Sequence, residues 1–600
     1  MKNIIDCLCA PLAKPKEYYQ MEPLFFHPKP GNQPGPDIHP RQLERAWIVL
    51  LAVFVFGLAI NLRKVGDYDA FFNLIVGEQV FSTWSVPRQE FYIYSALGEP
   101  TIFVGWLYGT ILYAVWKTFG YEGLSILNAL LWAGVWALLA GACLTFWRKE
   151  GKGSLSLATA CLLVALALCA QAMLERPMLR AEISMFFAWG VASLAWARYG
   201  VGKRLLLVVL PGLAWALAWL HTTTIFMLFF WCCLLADRSW DTFVTKNDLM
   251  TRQEAATFLG SLAMICLLPL ANPNGLTQVL PLLVGLAQSH TQQAEGITIY
   301  EYLNIFQVPR LKPFALLLAV GSLFALLAQR KRRGFTLLSL IVGAGLSCLH
   351  VRALGIWALF LVIPLADSFR SFLGPRLAAQ QKLWLVRHAP FLLTLAAIGW
   401  LISTVPNKLK GDWGIGLISP LNDLNAVNII KQRYPEGGNV FTMLQHGALL
   451  RWQLGPSYQV AMDGHFVTSS RAGPRYELVQ RATPDLEKIL DEDKVVAVFH
   501  ELLISTNGRQ WILPLALLDS PNWRLAGIDP MGATFVRRRE GEPASGVAEH
   551  RMYWRKVEIE AVIASEVVES PEEKQMARAI LELARAELSR LEDASPTKER

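Results

Sequence analysis

The chain has 600 residues, 53% of them hydrophobic and 17% charged, with a formal net charge of +8 and a mean hydropathy of +0.34. Soluble domains carry about a quarter charged residues, so a water-soluble globular protein is excluded for most of the length. The cations sit largely in short loops, where they speak of membrane topology and not of nucleic-acid binding.

Residues 1–45 are polar and rich in proline, as in "FFHPKPGNQPGPDIHPRQ", and read as a cytoplasmic tail without a cleavable signal. From 46 to 404 apolar segments recur near 46–62, 104–118, 123–146, 155–173, 181–197, 205–220, 225–236, 255–271, 312–328, 335–349, 353–368 and 388–404. The segment at 104–118 is the weakest span, since about 15 apolar residues rise only about 22 Å against about 30 Å of hydrocarbon. Treated as an interfacial or re-entrant helix, it leaves the basic loops at 148–152, 198–204, 238–252, 330–333 and 370–387 on the side of the N-terminus. The expectation is an α-helical polytopic membrane protein with about 11 transmembrane helices plus juxtamembrane helices. Its N-terminus lies in the cytoplasm and its outer face carries residues 63–122, "LERPMLRAE", "HTTT", the loop 272–311 and "LHVRA".

Residues 405–540 turn soluble in composition and lack cysteine, all nine cysteines lying at or before Cys348 in spacings that fit neither zinc nor a disulfide framework. "NVFTML", "YQVAMDG", "KVVAVFH" and "GATFVRR" read as strands, with "PDLEKILDED" and "WILPLALLD" as helices, which predicts a C-terminal extracytoplasmic α/β domain. Residues 541–600 hold a linker, "EGEPASG", and a charged helical tail that would pack on the domain or on a partner.

Candidate chemistry gathers on the outer face. In "VGDYDAFFNL" a helix would set Asp67 and Asp69 about 200° apart, on different faces, while Asp69 and Asn73 would share one. An extended stretch would point both carboxylates the same way, able to hold Mg²⁺ or Mn²⁺. Asp67 reads as a general base or a helix N-cap. Arg176, Arg180 and Arg352 stand at outer boundaries where cations are scarce, to meet a phosphate or to snorkel. His221 at a span terminus is a base or a structural hydrogen-bonding group, and Glu301 a second acid or a surface residue. Asn272 and Asn274 are substrate contacts or turn formers, and Asp463 is a turn residue. Trp106 and Tyr108 stand beside a polar groove as stacking surfaces or belong to an interfacial belt.

In chain order these residues resemble the C-type polytopic glycosyltransferases of bacteria, in which an Asp-x-Asp opens a short helix in the first outer loop. The matching positions are Asp67, Asp69, Gly77, Pro87, Glu90, Ser95 and Gly98, then Trp106 and Leu107. Arg176 with Pro177, His221, "LANPNG", Glu301 with Tyr302, "NVFTMLQHGALLRWQL" and "VAMDGH" follow in the same order. The chain departs from that pattern at Asn73, where the group usually has histidine, and at Gly105, where it usually has glutamate.

The resemblance implies inverting transfer of a hexosyl or pentosyl unit from a polyprenyl-phosphate donor to an envelope glycan, lipid or protein at the outer face of the bacterial cytoplasmic membrane. Asp67, Asp69 and Glu301 would be catalytic or metal-binding, with Asn73, Trp106, Arg176, Arg180, His221, Asn272 and Arg352 contacting substrate. The competing expectation is a non-catalytic scaffold of the same fold in envelope polysaccharide biogenesis.

Overall fold

The computed structural model describes residues 40–149, 155–173, 178–244, 249–275, 311–328, 331–379, 412–421, 424–463, 472–503, 511–568 and 571–593, with single positions between. The apolar stretches form helices: α1 Pro40–Asn61, α2 Tyr68–Thr83, α3 Trp106–Lys149, α4 Leu155–Met173, α5 Ile183–Tyr199, α6 Leu210–Leu220, α7 Ile225–Phe243 and α8 Arg252–Leu267. After them come α9 Lys312–Ala328, α10 Arg333–Leu349 and α11 Leu354–Ala379. Their cores are aromatic: the tilted rings of Trp189 and Phe360 lie 4.3 Å apart, and Phe146 meets Trp196 edge-on at 5.0 Å.

By length and composition, three helices among the described residues can cross a membrane: Trp106–Lys149, Arg252–Leu270 and Val351–Phe372. Trp47–Asn61, Thr159–Met173, Leu205–Leu220, Lys312–Ala328 and Arg333–Leu349 are apolar but shorter. By these criteria about 11 spans are not supported among the described residues. The expected segment 388–404 lies outside the described residues except for single positions. The break expected between the segments at 104–118 and 123–146 is present, because Gly120 (φ 66°, ψ −160°) interrupts α3.

Two glycines bring α2 against α3. A Cβ on Gly77 would stand 2.1 Å from the Gly109 carbonyl oxygen, and one on Gly109 would stand 2.4 Å from that of Asn73. No other residue fits at either position, so the backbones touch where the first loop returns to the bundle.

The C-terminal domain is a five-stranded sheet of order β2-β1-β3-β5-β4, with β1 Gly438–Thr442, β2 Tyr458–Val460, β3 Val495–His500, β4 Trp523–Asp529 and β5 Gly532–Arg537. Strands β2, β1 and β3 run parallel, and β3, β5 and β4 antiparallel. Four strands and the helices Leu486–Glu492 and Ile512–Leu518 match the stretches the sequence predicts, β1 starting one residue earlier at Gly438. The fifth, β4, is not predicted: "WRLAGID" alternates inward and outward, but it is interrupted by a register shift between Leu525 and Gly527. The tail forms a hairpin of two helices, Val547–Val567 and Pro571–Asp593. It docks on the domain through Lys556 Nζ to Pro530 O (2.9 Å) and Leu503 N to Glu560 Oε2 (3.2 Å).

Candidate functional site

Helix α2 starts one residue after Asp67. Asp67 is its N-cap, in extended conformation (φ −84°, ψ 124°), and accepts from Asp69 N at 3.2 Å. The expectation that the two aspartates either diverge on a helix or align on a strand is therefore replaced by a mixed geometry, with Asp67 extended and Asp69 helical. Both carboxylates reach Arg180. Its Nε lies 2.5 Å from Asp67 Oδ2 and 3.2 Å from Asp69 Oδ2, and Nη2 donates to Asp67 Oδ1 at 3.2 Å. Burial pushes the Asp67 carboxyl above the usual carboxylate range, and the Arg180 guanidinium pulls it back.

A guanidinium thus stands where a divalent ion would join the two carboxylates, and the pair does not fit the expected Mg²⁺ or Mn²⁺ in this arrangement. No group of three or more His, Cys, Asp or Glu side chains is placed to hold a metal ion among the described residues.

Beside the pair lies a cavity of about 150 Å³. Five of the predicted residues line it: Asp69, Asn73, Arg180, His221 and Arg352. Asn73 is buried and donates through Nδ2 to Asp69 O at 2.7 Å, and its Oδ1 lies against Gly105. A Cβ at 105 would stand 3.1 Å from that Oδ1, so the two positions where the chain departs from the glycosyltransferase pattern adjoin each other in the cavity lining. His221 caps the end of α6 and sits 3.3 Å from Thr223 Oγ1 through Nδ1. Burial pushes its imidazole down to about 4, so it is neutral at pH 7.

Sequence reasoning missed Glu182, which lines the same cavity and forms an ion pair with Arg352. Its signal was an acid two residues beyond Arg180 in "LRAE", but its role depends on the turn Val351–Ala353 being folded against it. Each of the two described cations of the cavity therefore already faces a carboxylate, a partner that neither the phosphate nor the snorkelling expectation included.

Other predicted residues lie elsewhere. Trp106 is buried against Trp219 with ring centroids 5.4 Å apart and does not line the cavity, since the first turn of α3 faces the bundle. Asn272 spends its side chain on its own turn, accepting from Asn274 N at 2.7 Å and donating to Pro269 O. Asp67 is set behind Arg180. Arg176 and Glu301 lie outside the described residues.

The architecture is a mostly helical chain with, among the described residues, three helices fit to cross a membrane, a small α/β domain and a charged cavity at the start of α2. No family model matches the chain, and no curated protein matches it.

Proposed function

We propose that the protein is a membrane glycosyltransferase that moves a single hexosyl or pentosyl unit with inversion from a polyprenyl phosphate to an envelope acceptor. The reaction would take place on the outer face of a bacterial cytoplasmic membrane. The observation that carries this reading is the meeting of Asp69, Asn73, Arg180, His221 and Arg352, drawn from separate parts of the sequence, around one cavity.

The cavity's chemistry suits the transfer. Asp69 keeps 42% of its side chain exposed beside the buried Asp67–Arg180 pair, so it can take the proton of the acceptor hydroxyl as that oxygen bonds to the anomeric carbon. The bond from that carbon to the phosphate oxygen breaks with its electron pair leaving on the phosphate, which Arg180 and Arg352 can stabilise by exchanging a carboxylate contact. Neutral His221 can hydrogen-bond a sugar hydroxyl. A cavity of about 150 Å³ matches the size of one small ring. Trp84 (89% exposed) and Phe119 (67%), at the ends of the first loop's two helical stretches, are large apolar side chains left uncovered, as suits a lipid interface.

A scaffold role is favoured by one observation: Asn73 and Gly105 leave no titratable group where they meet. Purified protein in nanodiscs, supplied with labelled polyprenyl-phosphate sugars and envelope acceptors, separates the two readings. The transferase reading expects release of the polyprenyl phosphate, lost in Asp69→Ala; no turnover of any carrier, with envelope glycan still lost on deletion of the protein, supports the scaffold.

A further inference from the structure

We infer that the α/β domain positions the catalytic loop, with Asp463 and His446 as the positioning residues. In the parallel part of the sheet the chain passes from β1 to β2 on one side and returns to β3 on the other. The carboxyl ends of β1 and β3 therefore border a topological switch point, the place where such sheets receive a ligand. His446 follows β1 and Glu501 follows β3, with Nε2 and Oε1 3.4 Å apart.

The first loop of the chain itself occupies this end of the sheet. Tyr68, adjacent to Asp67, sets its ring against His446 at 5.3 Å, and His446 leans on Phe499 at 5.6 Å. Further along the loop, Glu90 Oε1 accepts from the backbone N–H groups of Phe91, Tyr92 and Ile93 at 3.0, 3.1 and 3.2 Å. That turn aims Tyr92 into the domain. The Tyr92 hydroxyl donates to Asp463 Oδ2, and both residues are 0% exposed. Val460 N donates to Tyr92 O at 3.0 Å, and Ile93 bridges Val460 in parallel, so the loop continues the sheet beyond β2.

Asp463, a turn residue on sequence grounds, is thus a buried acceptor for another part of the chain. A third tie precedes Asp67, where Lys64 N donates to Asp412 O and Val65 N to Gly416 O, each at 2.8 Å. The segment that carries Asp67 and Asp69 is held on both sides by groups outside the helical bundle. A buried hydrogen bond to a charged acceptor is among the stronger ones in a protein, so its loss should be felt along the loop.

The test is hydrogen–deuterium exchange on the full-length protein in nanodiscs, with Tyr92→Phe, Asp463→Ala and Asp463→Asn, the last of which keeps an acceptor oxygen. Exchange at residues 67–73 should rise about tenfold or more in Tyr92→Phe and Asp463→Ala, and return toward wild type in Asp463→Asn, with the amides of α4 unchanged. An increase confined to residues 90–98, or none, overturns the proposal, as does loss of protection throughout α4 in both Tyr92→Phe and Asp463→Asn. Turnover, which rests on the transferase reading, should lose kcat in Tyr92→Phe with KM for the donor unchanged. If the wild type shows no turnover, that reading fails and the exchange result stands by itself.

Discussion

Arg180 Nε reaches Asp67 Oδ2 at 2.5 Å across 113 residues of sequence, and ties the first turn of α2 to the start of α5. The side chains are 18% and 7% exposed, so the pair is largely withdrawn from water. Removing Arg180 leaves the Asp67 carboxylate buried without its cation. Arg180→Ala is expected to destabilise the protein by about 3 kcal/mol, within the range for broken buried pairs. The double variant Arg180→Leu with Asp67→Asn should recover much of that loss, as thermal unfolding in one detergent would measure.

The contact of Gly77 with the Gly109 carbonyl makes a sharper packing prediction. Gly77→Ala must part α2 from α3, because its Cβ would lie 2.1 Å from a backbone oxygen that cannot move alone. Overpacking of this kind costs about 1–3 kcal/mol or more. A melting temperature for Gly77→Ala equal to that of wild type would contradict the close approach.

Gly105 makes the complementary prediction about the cavity. Gly105→Ala brings its Cβ to 3.1 Å from Asn73 Oδ1, a distance a small shift of the amide relieves, so the fold should tolerate it within about 1 kcal/mol. Gly105→Leu fills the cavity and should abolish binding of a lipid-linked sugar with little change in stability, read by titration with a labelled donor.

The α/β domain has opposing pH dependences. Burial pushes His446 down to about 3 and His500 down to about 4, against about 6.5 in an unfolded chain. Between pH 6.5 and 4 the unfolded chain binds more protons, so these residues lower stability as the pH falls. Burial pushes Glu501 up to about 7, so the folded state keeps a proton that the unfolded chain releases near pH 4.5. Its contribution is complete below pH 4.5 and is lost as the pH rises through 7. Glu501→Gln should flatten the decline between pH 4.5 and 7, and His446→Phe should reduce the decline between pH 6.5 and 4, both measured as melting temperatures.

The parts of the fold legible in the sequence are those set by local pattern. Unbroken apolar runs such as Leu155–Met173 and Lys312–Ala328 are helices because nothing in them favours another state, and β1, β2, β3 and β5 follow their apolar strands. The site was legible as a set of residues and not as an arrangement. Whether Asp67 and Asp69 converge depends on α2 beginning at Tyr68, a boundary that one residue's shift would undo. Glu182 escaped notice because its partner, Arg352, is distant in sequence, and Asn272 misled because an Asx turn and a substrate contact call for the same side chain.

The most direct measurement of the central claim is donor turnover by Asp69→Asn beside wild type, each at normal membrane abundance and with the same melting temperature. Asp69 is the exposed carboxylate of the cavity, and its replacement leaves the Asp67–Arg180 pair in place. The transferase account predicts a fall in kcat of about 10²–10⁴-fold with the donor still bound. Wild-type turnover by Asp69→Asn would contradict it.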